Sequence, residues 1–168
     1  MTYTVRRSRS EDWRDLRAVR LAALADAPTA FVTTLAQASA YSDEEWQRRA
    51  AGSQPSGEPV AGFLAYSAAG EPVGMLGGGV ASPERALVWG VWVAPEHRGS
   101  GLAEQLMAAL EHWARDEAGV RELLLEVNEQ NARAQAFYRR LGYVANGNRQ
   151  PYPNDPSVDE LEMVKPLR

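Results

Sequence analysis

The stretch Val91-Trp92-Val93-Ala94-Pro95-Glu96-His97-Arg98-Gly99-Ser100-Gly101-Leu102-Ala103 passes from an apolar strand pattern through a turn into a helix. Ala86 to Val93 is nearly apolar throughout, which predicts a strand covered on both faces. Downstream, Leu102, Leu106, Leu110 and Trp113 recur at helical spacing with Met107 alongside, predicting a helix from Gly101 to about Glu117. Between the two, glycines let the backbone approach a ligand closely, and the first amides of the helix lack an intrahelical acceptor. Those amides, the positive end of the helix dipole and Arg98 together make an anion site. A P-loop would continue Gly-Lys-Ser/Thr, whereas Leu102-Ala103-Glu104 follows; Glu104 stands where a dinucleotide fingerprint needs its third glycine. Spacing alone leaves open a plain turn feeding a helix, with Arg98 solvated.

Working outward, Glu122 to Val127 predicts the next strand. Residues 132 to 141 predict the next helix, on Ala134, Phe137, Tyr138 and Leu141, with Gly142 as its stop. Tyr143 to Ala145 and Val158 to Leu167 predict two more strands, separated by a proline-bearing loop from Asn146 to Ser157. Toward the N-terminus, Val60 to Ser67 and Val73 to Val80 predict a hairpin turning at Ala69-Gly70-Glu71. Gly77-Gly78-Gly79 within it is expected to serve bulging or close backbone packing. Tyr3 to Arg7 predicts a short strand and residues 11 to 25 an amphipathic helix; Ser42-Asp43-Glu44-Glu45 predicts a capping box. Alternation places Trp89 and Trp92 on opposite faces of their strand. A helix before a hairpin, then strand–helix–strand–helix–strand, predicts an α/β (α+β) fold with a mixed sheet, in one domain over residues 1–168.

Composition removes several chemistries. A chain of 168 residues buries roughly two-thirds of its unfolded surface as one domain. There is no cysteine, which excludes disulfides, thiolate zinc sites and a cysteine nucleophile. Of the two histidines, His97 and His112, neither belongs to an HExxH arrangement, and no metal is expected. A net charge of −4 offers no broad nucleic-acid or membrane surface. No apolar run approaches the ~18 residues of a membrane span, and no secretory pattern opens the chain, so a cytoplasmic location is expected.

Two segments carry a resemblance. The strand ending Val91-Trp92-Val93-Ala94-Pro95 and leading into Arg98-Gly99-Ser100-Gly101-Leu102-Ala103 resembles the acetyl-CoA signature of the GCN5-related N-acetyltransferase (GNAT) family. Its terms fall here on Arg98, Gly101 and Ala103. Asn131-Ala132-Arg133-Ala134-Gln135-Ala136-Phe137-Tyr138-Arg139-Arg140-Leu141-Gly142-Tyr143 is similar to that family's Asn-x-x-Ala-x-x-Phe-Tyr-x-x-x-Gly-aromatic segment, in the expected order. The resemblance covers about residues 86 to 145. It implies a mixed, mostly antiparallel sheet flanked by helices and splayed at its centre, between Ala86–Val93 and Glu122–Val127. It also implies acetyl-CoA as co-substrate. Pantetheine would pair with the backbone of Val91, Trp92 and Val93, and the diphosphate would sit on amides of Arg98, Gly99, Ser100, Gly101, Leu102 and Ala103. Asn131 would contact the pantetheine arm, and Tyr138 would stand near the thioester sulfur as general acid.

Many relatives carry a glutamate on the strand before the phosphate loop, but Leu87-Val88-Trp89-Gly90-Val91-Trp92-Val93 has none. Glu126, amid Leu123 to Val127, is the candidate base, because desolvation there would raise its pKa. An ion pair with an arginine fits the same position, and proton removal through ordered waters stays open. The expected activity is acetyl transfer to a primary amine of a small-molecule or peptide acceptor within a ternary complex. The alternative is a CoA-binding regulatory module without turnover. Family members often pair, which makes a homodimer a further expectation. Residues 26 to 41 and 146 to 157 are expected to border the acceptor, with Tyr41, Tyr152 and Asp155 available to a cationic amine.

Overall fold

A computed structural model describes residues 1–168. Its strands are β1 (Thr4–Arg7), β2 (Val60–Tyr66), β3 (Pro72–Ser82), β4 (Arg85–Val93), β5 (Glu122–Asn128), β6 (Val144–Tyr152) and β7 (Asp155–Pro166). They form one sheet in the order β1-β2-β3-β4-β5-β7-β6. The helices are α1 (Trp13–Asp26), α2 (Leu35–Ser39), α3 (Asp43–Ala50), α4 (Leu102–His112) and α5 (Ala132–Arg140). Every strand pair is antiparallel except β4–β5, as the expected mixed, mostly antiparallel sheet requires. That one parallel pairing is confined to Arg85↔Glu122, Ala86↔Leu123 and Leu87↔Leu124. Beyond Leu87, β4 has no strand partner on the β5 side, so the sheet opens at its centre. No helix is long and apolar enough to cross a membrane.

Each face has its own core. On one, Leu102, Leu106, Met107 and Leu110 of α4 pack with Phe63, Leu76, Val88, Leu123 and Leu125. On the other, Val19, Ala23 and Leu24 of α1 and Trp46 of α3 pack with Leu64, Met75 and Trp92. The triple glycine of β3 serves both. A Cβ at Gly78 would stand 2.7 Å from Leu110, and one at Gly77 would stand 2.5 Å from the Trp89 indole nitrogen. Close packing on both faces, rather than a bulge at the triplet, is the reason for the glycines.

The bulge lies across the pair, in β4. The β3–β4 register runs Met75↔Trp92 and then Gly77↔Trp89, so β4 carries one residue more than β3 over that interval. Gly90 absorbs it with φ of 65°. The extra residue puts Trp89 and Trp92 on the same face, not on opposite faces as alternation predicts. β4 is also not covered on both faces, since Trp89 remains 39% exposed.

Two further expectations are corrected. The stretch from Asn146 to Ser157 is mostly not a loop; it belongs to a hairpin in which β6 runs to Tyr152 and β7 begins at Asp155. The edge position of β6 tolerates Pro151, which has no amide to donate. Ser42 does cap α3 by accepting from the Glu45 amide at 3.1 Å. The Glu45 carboxylate, however, binds Arg48 and Arg49 instead of closing the capping box.

Candidate functional site

The turn between β4 and α4 is built from left-handed glycines, Gly99 with φ of 75° and Gly101 with φ of 82°. No Cβ could be added there without backbone strain, although nothing lies within 4 Å of either position. The consequence is a run of unused donors: no amide from Gly99 to Glu104 donates a hydrogen bond within the protein. The amide of Arg98 is already committed, to the Pro95 carbonyl at 3.3 Å. Six consecutive free amides at the positive end of α4 form an anion cradle in their own right.

The cradle opens into a cavity of about 580 Å³ between β4 and α5. Val91, Trp92, Val93, Arg98, Gly99, Gly101, Leu102, Ala103, Asn131 and Tyr138 all line it, so the structure gathers nearly the whole sequence-predicted coenzyme set. Ser100 is the exception, its hydroxyl turned to the His97 carbonyl at 2.5 Å. Asn131 caps α5 through its Oδ1, which accepts from the Ala134 amide at 3.1 Å; its backbone amide donates to the Asn128 carbonyl at 2.9 Å, and its side-chain Nδ2 makes no bond within the protein. Tyr138 is half-buried, with ring centroids 5.3 Å from Phe137 and 5.8 Å from Tyr143. Its hydroxyl has no hydrogen-bond partner, and burial pushes its pKa up to about 12, so the phenol keeps its proton at neutral pH.

Arg98 behaves differently from a free phosphate-binding arginine. Its Nε donates to the Val93 carbonyl at 2.9 Å and its Nη2 to Asp26 at 2.5 Å. Asp26 also accepts from the Trp92 indole at 3.0 Å. Trp92 first, then Arg98, hold the Asp26 carboxyl below its ordinary range. This small network ties the end of α1 to the end of β4.

Glu126 does not line the cavity. Its neighbours Leu123, Leu125 and Val127 point into the α4 core, which turns Glu126 to the opposite face. It is exposed there, directly across from Glu162 of β7. Partial desolvation and the Glu162 charge raise its pKa, with Gln150 working the other way. Glu160, on the same face, is 9% exposed with an unpartnered Oε1, and desolvation followed by Glu126 raises its pKa. No arginine pairs with Glu126. Of the polar residues expected near an acceptor, Tyr152 is buried against the Phe31 carbonyl at 2.5 Å. Asp155 holds Ser157 in the β6–β7 turn, and Tyr41 lies under Arg49 at 4.4 Å. Asp26 and Phe31, from the 26–41 stretch expected to border the acceptor, line this same cavity, although no motif singled them out.

The model of the Acetyltransferase (GNAT) family matches residues 18–143. The aminoglycoside N(6')-acetyltransferase type 1 of Stenotrophomonas maltophilia is 35% identical over 89 residues, covering 48% of this chain and 58% of that protein. Among solved structures, nourseothricin acetyltransferase is 32% identical with a TM-score of 0.60, covering 65% of this chain and 66% of that one. The chain thus matches less than two-thirds of the length of these two relatives. A Klebsiella pneumoniae protein assigned as an acyl-CoA N-acyltransferase matches over 99% of both chains, at 27% identity and a TM-score of 0.70.

Proposed function

The chain belongs to the GNAT acetyltransferase family, and from that premise we propose that it moves the acetyl group of acetyl-CoA onto a primary amine by direct transfer within a ternary complex. The observation that carries this is the run of free amides from Gly99 to Glu104 beside an open split in the sheet. A diphosphate supplies the acceptors those donors lack, and an extended pantetheine supplies the missing edge for Val91 to Val93. Asn131, with its side-chain Nδ2 free, contacts the pantetheine arm. Arg98 acts through its strut to Asp26, holding the loop in shape.

Alignment of two bound substrates supplies roughly 7–11 kcal/mol, and each acid or base about 3–5 kcal/mol. Positioning therefore carries most of the acceleration. Tyr138 protonates the departing thiolate: its hydroxyl is unpartnered and protonated at neutral pH, and it faces the cavity that holds the cradle. Glu126 takes the proton from the acceptor ammonium on the far side of the split, its raised pKa bringing it closer to that task. One sheet runs from Thr4 to Pro166, so residues 1–168 act as a single domain in this reading. Acetyl-CoA supply places the work in the cytoplasm.

Thermal melting tests coenzyme binding. Acetyl-CoA at 100 times its dissociation constant stabilises by about 2.7 kcal/mol, or several degrees. A melt unmoved by acetyl-CoA but raised by ATP or NAD contradicts the reading.

A further inference from the structure

A second cavity, of about 300 Å³, lies behind β4 on the opposite face from α4. Leu16 and Arg20 of α1, Trp46 of α3, Tyr41, Trp89 and Gly77 are among its walls. No aspartate or glutamate lines it, whereas Arg20, Arg48 and Arg49 do. Arg48 and Arg49 are already satisfied by Glu45, at 2.7 and 2.8 Å. Arg20 is not. It makes no hydrogen bond and no ion pair; its guanidinium rests over the Phe31 ring at 4.9 Å. Its Nη1 lies so close to Gly90 that a Cβ there would stand 2.9 Å from it. The Trp46 ring forms a wall of the same pocket, and its indole nitrogen, fully buried behind that wall, has no partner. An unpaired, half-buried cation is costly to hold, and an entering oxyanion removes that cost. A guanidinium stays charged in such a setting.

The pocket adjoins the coenzyme cavity. Gly90 lines this pocket and the next residue, Val91, lines the other; Phe31, on which Arg20 rests, also faces the coenzyme cavity. Arg20 therefore sits where the two meet. Across Trp89, the same face carries Glu126, Glu160 and Glu162, so charge along it runs from basic at α1 to acidic at β5 and β7. A zwitterion lies along that gradient in one orientation only.

We propose that Arg20 receives the carboxylate of the amine acceptor against the Trp46 wall, with the ammonium pointing to the Glu126 side. The acceptor is then an amino acid or another amine bearing a carboxylate, and a polycation is disfavoured by Arg20. This inference rests on the acetyl-transfer reading above, and it makes a binding prediction that is independent of transfer.

The test uses a panel of L-amino acids, each as the free acid and as its amide, with kanamycin as the polycation. Wild type and Arg20→Gln are compared; Arg20 makes no intramolecular bond, so the variant should fold, and its melting temperature checks this. Binding is read without coenzyme, from the intrinsic tryptophan fluorescence, to which Trp46 and Trp89 at the pocket contribute; transfer is read as release of free CoA thiol. In wild type, at least one free acid is expected to bind and react about 10-fold or more better than its amide. Arg20→Gln erases that preference while acetyl-CoA affinity stays unchanged, and Arg20→Lys keeps part of it. Equal acid-to-amide ratios in wild type and Arg20→Gln, no fluorescence response to any free acid, or preferred turnover of kanamycin overturns the inference. An acid-selective response lost in Arg20→Gln, with no thiol released from any amine, sinks the transfer reading and leaves the carboxylate seat standing.

Discussion

In the cavity between β4 and α5, where Arg133 and Arg140 line the α5 side, the arginine of the phosphate turn is tied down: Arg98 spends its guanidinium on Asp26 and the Val93 carbonyl. In the pocket behind β4, Arg20 is left without a hydrogen bond or ion pair, its guanidinium resting over the Phe31 ring beside Gly90. The two regions thus hold negative charge by different means. The first presents main-chain donors fixed by the turn and the start of α4, with the arginine serving as a brace. The second presents a side chain whose partner must arrive from outside. Main-chain donors are position-specific and hard to remove by substitution; side-chain donors are easily removed and change the choice of ligand.

The largest effect that this contrast predicts is on chemistry rather than on binding. Tyr138→Phe keeps the ring packed between Phe137 and Tyr143 and removes only the hydroxyl, so turnover is expected to fall about 100-fold or more while the acetyl-CoA dissociation constant holds. An unchanged kcat removes Tyr138 from the mechanism. Next, Gly101→Val forces a β-branched residue to φ of 82°. It is expected to cost about 1–2 kcal/mol of stability and to weaken acetyl-CoA about tenfold or more by turning the cradle amides. Calorimetric titration reads the second effect, and an unaltered affinity would show that the amides are not the anchor.

Arg98→Ala sharpens the contrast from the other side. If Arg98 is a brace, its loss lowers stability by about 0.5–1 kcal/mol at neutral pH, a figure discounted for its partial exposure, and weakens acetyl-CoA only a few-fold. Asp26 has a depressed pKa in the folded chain, so the stabilisation is present above its unfolded pKa and disappears as pH falls through the lower folded value. The melting difference between wild type and variant should therefore be full at neutral pH and shrink steadily as pH is lowered below the ordinary aspartate range. A variant that loses coenzyme affinity severely at unchanged stability would make Arg98 a direct ligand. The smallest effect concerns Glu126. Its pKa is raised partly by Glu162, so Glu162→Gln should move the acidic limb of the pH–rate profile to lower pH. An unmoved limb would exclude Glu126 as the titrating base.

Much of this was visible in the sequence. The strand–turn–helix at Val91 to Ala103 and the α5 segment ending at Gly142 are local patterns, and local patterns survive folding; they locate the cradle, Asn131 and Tyr138. What stayed hidden depends on distant partners. Pro151 argues against a strand until β6 is known to be an edge. Trp89 and Trp92 share a face only because of one extra residue at Gly90. Nothing in the sequence separates Arg20 from the exposed Arg14 and Arg17 on the same helix, because being half-buried in a pocket without a partner is a property of the assembled fold.

A crystal grown with acetyl-CoA tests the central claim most directly. The account predicts diphosphate oxygens within hydrogen-bonding distance of the amides from Gly99 to Glu104, pantetheine running through the split between β4 and β5, and the thioester sulfur beside the Tyr138 hydroxyl. Coenzyme density lying elsewhere, with those amides still unpartnered, would contradict it.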